Sequence, residues 1–171
     1  MSDDKVPAPT VREVMGYPSF SEATLAAGAA GLDRQIEWVR VMETPGGGRR
    51  TRPNDLLLTT AFPIQGDHDA QVGLVKTVAE AGGSGLVVKV GQYLKELPKE
   101  MVAEAERRGL PLFTVPDEVS FSDLMGPLLE RIINAEHWRL KRSMEIHARF
   151  TELVLEGKGI NEIVRTLTET G

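Results

Sequence analysis

Pro53-Asn54-Asp55-Leu56-Leu57-Leu58-Thr59-Thr60-Ala61-Phe62 decides the fold. Three consecutive leucines without polar alternation leave a strand no wet face, the pattern of a central strand covered by helices on both sides. Arg52-Pro53-Asn54-Asp55 makes the turn that feeds it: Pro53 presets φ and Asn54 tolerates a left-handed backbone. Thr59 and Thr60 place two hydroxyls at the strand's carboxyl end, where open α/β sheets bind ligands, so a small-molecule site is expected there.

C-terminal to this strand, Asp67 or Asp69 can cap a helix running to about Ala81, with Val72, Val75, Val78 and Ala79 on one face. Gly82-Gly83-Ser84-Gly85 ends it, and Leu86–Val90 reads as the next strand, apolar except for Lys89. Pro98 opens a helix in which Glu104 and Arg108 stand at favourable spacing, and Gly109 closes it. Leu110–Val115 is a further strand, bounded by Pro116. This β-α-β-α-β succession requires parallel strands and right-handed crossovers. The fold class is therefore α/β: a mostly parallel sheet with flanking helices, followed by a long C-terminal helix.

On the N-terminal side, residues 1–9 are polar and proline-punctuated, a flexible lead-in. Thr10 and Glu13 have capping-box spacing for a short helix through Met15, stopped by Gly16 and Pro18. Residues 23–27 and 36–42 read as a hairpin-like pair around the turn Gly31-Leu32-Asp33-Arg34, with Trp38 expected in the core. Residues 44–54 form a basic, glycine-rich loop expected to be mobile. A phosphate-loop reading fails, because no Lys-Ser/Thr pair follows the glycines.

The 171 residues carry 20 basic and 25 acidic side chains, a net charge of −5, which argues against this chain gripping nucleic acid by itself. Without cysteine there is no disulfide framework and no thiol chemistry. No apolar run approaches the ~18 residues of a membrane span, and Met1–Lys5 lacks an apolar signal core, so a cytoplasmic location is expected.

Ser120–Met125 begins helical, and Gly126-Pro127 is expected to interrupt before a fresh helix runs from Pro127 to Glu156, about 45 Å at 1.5 Å per residue. Leu128, Leu129 and Ile132 should pack on the α/β body. Ile133, His137, Leu140, Met144, His147, Thr151 and Val154 recur at gaps of four and three, an impure heptad-like seam suited to a weak or partner-dependent homodimer. His137 and His147 on that seam would make dimerisation respond to pH. Ile160, Ile163, Val164 and Leu167 mark an amphipathic helix after Gly157-Lys158-Gly159. The expected organisation is a lead-in (1–9), a sensor domain (10–121), a linker and dimerisation helix (122–156), and the opening of a truncated next domain (157–171).

Taken in order, Gly31-Leu32-Asp33-Arg34, Trp38-Val39 with Glu43, Asp55-Leu56-Leu57-Leu58-Thr59-Thr60, Leu110-Pro111-Leu112 and Phe121 resemble the N-terminal domain of the purine catabolism regulator (PucR) family over roughly residues 10–130. The resemblance implies a bacterial transcription factor with this module first, then a middle domain and a C-terminal helix-turn-helix. It also implies that the module senses a metabolite, purine-like or another nitrogen compound. The family often has glycine after the threonine pair, where this chain has Ala61, which would narrow the room for an effector approaching that backbone.

The candidate ligand-binding residues are Thr59, Thr60, Lys89 and Glu43. The hydroxyls would bond a polar effector or satisfy neighbouring backbone. Lys89 would face an anionic ligand, pair with Glu43 or snorkel to solvent. Glu43 would accept an N–H or cap its loop. His68 between Asp67 and Asp69 suggests metal, but both aspartates have capping roles, and neither a metal nor a cofactor is expected. No Ser-centred elbow, P-loop or histidine cluster supports catalysis. Two rivals to sensing are an oligomerisation scaffold without ligand and a small-molecule enzyme.

Overall fold

The computed structural model describes residues 7–155, so the segment 157–171 and residues 1–6 of the lead-in lie outside the described residues. The leucine triplet forms β3 (Asp55–Thr59), all five residues buried. β1 (Thr24–Ala27), β2 (Trp38–Met42), β4 (Gly85–Val90) and β5 (Leu112–Pro116) join it in one sheet of order β1-β5-β4-β3-β2. β2 through β5 are parallel, and β1 alone runs antiparallel, against β5.

The lack of a wet face follows from packing. On one side Leu57, Leu86, Val88 and Leu112 meet α2 (His68–Glu80) through Leu74, Val75 and Val78, and α3 (Lys99–Arg108) through Met101 and Ala105. On the other, Leu56, Leu58, Val87, Phe113 and Val115 are covered by α1 (Val11–Met15), Phe20, Ile36, and the opening of α4 (Phe121–Leu155) through Leu124, Leu128 and Ile132. Fully burying a leucine stabilises by about 1.5–3 kcal/mol, so the triplet alone contributes on the scale of a whole domain's net stability.

Local signals acted as expected. Thr10 Oγ1 accepts from Glu13 N (3.2 Å) while Glu13 Oε2 accepts from Thr10 N (2.7 Å), completing the capping box. Asp67 rather than Asp69 caps α2, accepting from Ala70 N at 2.9 Å. Glu104 receives Arg108 at 2.5 Å and Arg107 at 2.7 Å, and Asn54 takes its left-handed turn at φ 64°.

Four expectations are corrected. Residues 23–27 and 36–42 are not a hairpin: β1 and β2 occupy opposite edges of the sheet. Each strand finds its partner among the central strands, and alternation along a strand says nothing of which edge it joins. Trp38, at the start of edge strand β2, is 49% exposed rather than core. Residues 47–50 are a 3-10 turn with Gly48 buried, not a free loop. Finally, Pro127 lies inside α4, which runs on without a break. A proline in a helix interior costs about 3 kcal/mol. Leu124 and Leu128, both fully buried on either side of it, offset that by holding the two segments in register.

The chain divides into two compact units, one spanning Pro7–Ile133 and the other containing α4 from Asn134 onward. In the second, Arg139 pairs with Glu136 (3.4 Å), and Arg142 lies 5.9 Å from the Trp138 ring centroid. No described helix is long and apolar enough to cross a membrane.

Candidate functional site

Two segments rise from the carboxyl ends of neighbouring parallel strands. After β2, the chain turns through Gly46 (φ 74°) into the 3-10 turn Gly47–Arg50. A Cβ on Gly48 would stand 2.6 Å from Leu74 Cδ1, and one on Gly47 2.7 Å from Met42 Cγ. The glycines are thus needed for close approach of this turn to β2 and α2. After β3, Ala61 adopts φ 67° and is fully buried, starting the turn Phe62–Ile64. A left-handed backbone here accounts for a glycine preference at this position, independently of any ligand. Buried Gln71 donates from Nε2 to Ile64 O at 3.0 Å and pins that second turn to α2.

Between the two turns and α2 lies a cleft of about 310 Å³. Met42, Pro45, Ile64, Ala70 and Leu74 give it apolar walls, while Arg49 and Asp67 bring one charge of each sign. Gly73, in the interior of α2, lines it too, and a Cβ there would meet nothing within 4 Å. Thr77 donates its hydroxyl back to Gly73 O at 2.9 Å. The exposed Arg49 side chain makes no hydrogen bond or ion pair among the described residues, while its backbone N–H donates to Gly46 O at 3.1 Å; Asp67 Oδ1 is occupied by the α2 cap. A smaller pocket, about 170 Å³, is lined by Arg40, Glu43, Thr44 and Arg50 and shares Met42 with the first.

The residues singled out from sequence fall in different places. Thr59 is fully buried, and its hydroxyl donates to Met42 O (3.4 Å) while accepting from Ala61 N (3.1 Å). Thr60 accepts from Phe62 N at 3.4 Å. Lys89 donates to Asp117 O at 3.0 Å and lies 4.8 Å from the Phe121 ring centroid, so it is turned to the β5–α4 connection rather than to Glu43. Glu43 is exposed and lines the smaller pocket. The larger cleft is lined by none of these four.

Sequence reasoning overlooked Arg49 and Gly73 as partners, although a glycine inside a helical pattern was a signal for an open or closely approached site. It also read Asp55 only as a turn residue. That carboxylate is buried and accepts from Arg40 Nε and Arg52 N, both at 2.8 Å, binding edge strand β2 to β3. Asp33 pairs with Arg12 at 2.7 Å, which holds its carboxyl below the usual range, and Arg34 donates to Gly83 O at 2.9 Å. His68 stands 3.7 Å from Glu100.

Along α4, Ile133, Leu140, Met144 and Val154 are each more than half exposed, and His137 and His147 are exposed as well. Ile146 and Phe150, outside the heptad-like seam, add to this uncovered apolar surface.

Residues 13–132 match the purine catabolism regulatory protein-like (PucR) family. The chain is 29% identical over 160 residues to the purine catabolism regulatory protein of Bacillus subtilis (strain 168), covering 93% of this chain and 30% of that protein. It is 30% identical over 113 residues to the transcriptional activator PmfR of Paenarthrobacter nicotinovorans, covering 66% of this chain and 24% of that protein. The chain thus spans a third or less of either relative's length. With a match over most of its residues, from α1 into α4, the chain belongs to the purine catabolism regulatory protein-like family.

Proposed function

We propose that this chain is the effector-sensing and dimerising part of a cytoplasmic bacterial transcriptional regulator, not an enzyme, whose DNA-binding function resides elsewhere. The names of its relatives support the regulatory reading. The observation that carries sensing is the cleft at the carboxyl ends of β2 and β3, which combines apolar walls with two charged side chains. Dimerisation rests on the uncovered apolar residues of α4, Leu140 and Met144 foremost. An effector that binds one arrangement of the dimer better than another shifts the population toward it; equal affinity would shift nothing.

Sedimentation equilibrium of the wild-type chain and of Leu140→Asp tests the pairing half: a dimer that becomes a monomer is expected, and an unchanged mass refutes it. Thermal shift with small nitrogen metabolites tests the sensing half, since a ligand that binds the folded state raises Tm. If no member of a broad screen raises it, a scaffold without ligand replaces the sensor.

A further inference from the structure

We infer that two copies of the chain pair along α4 in parallel and in register, so that each residue of the seam meets its own counterpart. The inference rests on the dimerising reading above and deepens it, because that reading leaves the direction of the partner helix open.

His137, Leu140, Met144, His147, Thr151 and Val154 are all exposed. Their spacing puts His137, Met144 and Thr151 at the first core position of successive heptads, a, and Leu140, His147 and Val154 at the second, d. Such a seam can hold two helices together without choosing their direction. That choice falls to the flanking positions e and g, whose side chains meet across the interface.

Glu136 stands at g and Lys141 at the following e. In a parallel pair g of one helix faces e of the next heptad on the other, so Glu136 meets Lys141 of the second copy, twice by symmetry. The next such pair is Ser143 with Ala148, which is uncharged, and the last is Phe150 with Leu155, which is apolar. None is repulsive. An antiparallel pair sets e against e and g against g instead. With Met144 packed on Leu140, Lys141 would meet its own copy and Glu136 would meet Phe150. With Met144 packed on His147, Lys141 would meet Ala148 and lose its acid.

Within one copy Glu136 Oε2 stands 3.4 Å from Arg139 Nη1, with 72% and 45% of the two side chains exposed. An exposed pair of this kind holds its members weakly, which leaves Glu136 available to a neighbouring helix. A parallel pair also brings Leu155 of both copies to the same end of the seam, in keeping with the two-fold symmetry of dimeric DNA readers.

The chain has no cysteine, so single cysteines report the arrangement directly. His137→Cys and Thr151→Cys, at two exposed positions, are oxidised separately and as an equimolar mixture of the two variants, beside sedimentation equilibrium of the reduced proteins. In a parallel pair each variant links to itself, because like a positions come within disulfide reach. In either antiparallel register each cysteine lies about 15 Å or more along the axis from its copy, at 1.5 Å per residue, and only the mixture links. Self-linking of both variants is the expected result, and linking in the mixture alone overturns the inference. A dimer that links in neither arrangement overturns it too, while leaving pairing through another surface intact. A monomer at every concentration refutes this inference and the dimerising reading together. Charge reversal is the second arm. Glu136→Lys and Lys141→Glu should each raise the dimer Kd roughly 5- to 30-fold, since two equivalent contacts turn from attraction to repulsion. The double reversal should restore Kd to within about threefold. Single reversals without effect, or a double variant no better than either, overturn the pairing of Glu136 with Lys141.

Discussion

Replacing Asp55 with alanine should destabilise the protein more than any exposed charge substitution. Its carboxylate side chain is 3% exposed, and the Arg40 side chain opposite is 27% exposed. Breaking a buried ion pair by removing one partner costs about 3–5 kcal/mol, chiefly because the remaining charge stays desolvated. Arg40 keeps about a quarter of its side-chain access to water and can partly rehydrate, so the lower end applies, about 3 kcal/mol. Loss of the acceptor for Arg52 N adds to the same figure rather than opposing it. For a chain of this size, about 3 kcal/mol corresponds to a Tm drop of roughly 6–12 °C. Urea unfolding of wild type, Asp55→Ala, Arg40→Ala and the double variant measures this with m held constant. The two single changes should be strongly non-additive, with a coupling of at least about 1.5 kcal/mol. A single-variant cost below about 1 kcal/mol, or additivity within about 0.5 kcal/mol, would show that the pair does not hold β2 to β3.

Gly48→Ala should cost about 1–3 kcal/mol, because its methyl would collide with Leu74 Cδ1 and push the Gly47–Arg50 turn off α2. Unchanged stability by the same unfolding assay would mean that this turn is not packed as described. Hydrogen bonds from Arg107 and Arg108 lower the Glu104 pKa from 4.5 to about 2. Its stabilising contribution is therefore complete above 4.5 and is lost as pH falls from there toward about 2. Comparing the acid limb of stability for wild type and Glu104→Gln over that window should show a shallower slope in the variant. Parallel slopes would refute the assignment.

Much of the architecture was legible because its determinants are local. Leu56-Leu57-Leu58 lacks a polar face, so the strand had to be covered twice, and the two core clusters cover it. Capping at Thr10 and Asp67 and the turn at Asn54 depend on backbone geometry within a few residues, and these formed as read. The family likewise followed from motifs in order along the chain.

Tertiary structure decided what depends on partners far away in sequence. Lys89 meets Asp117, 28 residues on, and β1 joins β5 rather than β2, because those pairings are settled by which surfaces remain open once the central strands assemble. Pro127 stays inside α4 because burial of Leu124 and Leu128 outweighs a local rule. The cleft is a product of the same kind: Gly48 lets one turn press on Leu74 while Gly73 leaves a gap beside it. Nothing in either residue's own neighbourhood distinguishes a glycine that is filled from one that is open, since that difference lies in the segment packed across from it.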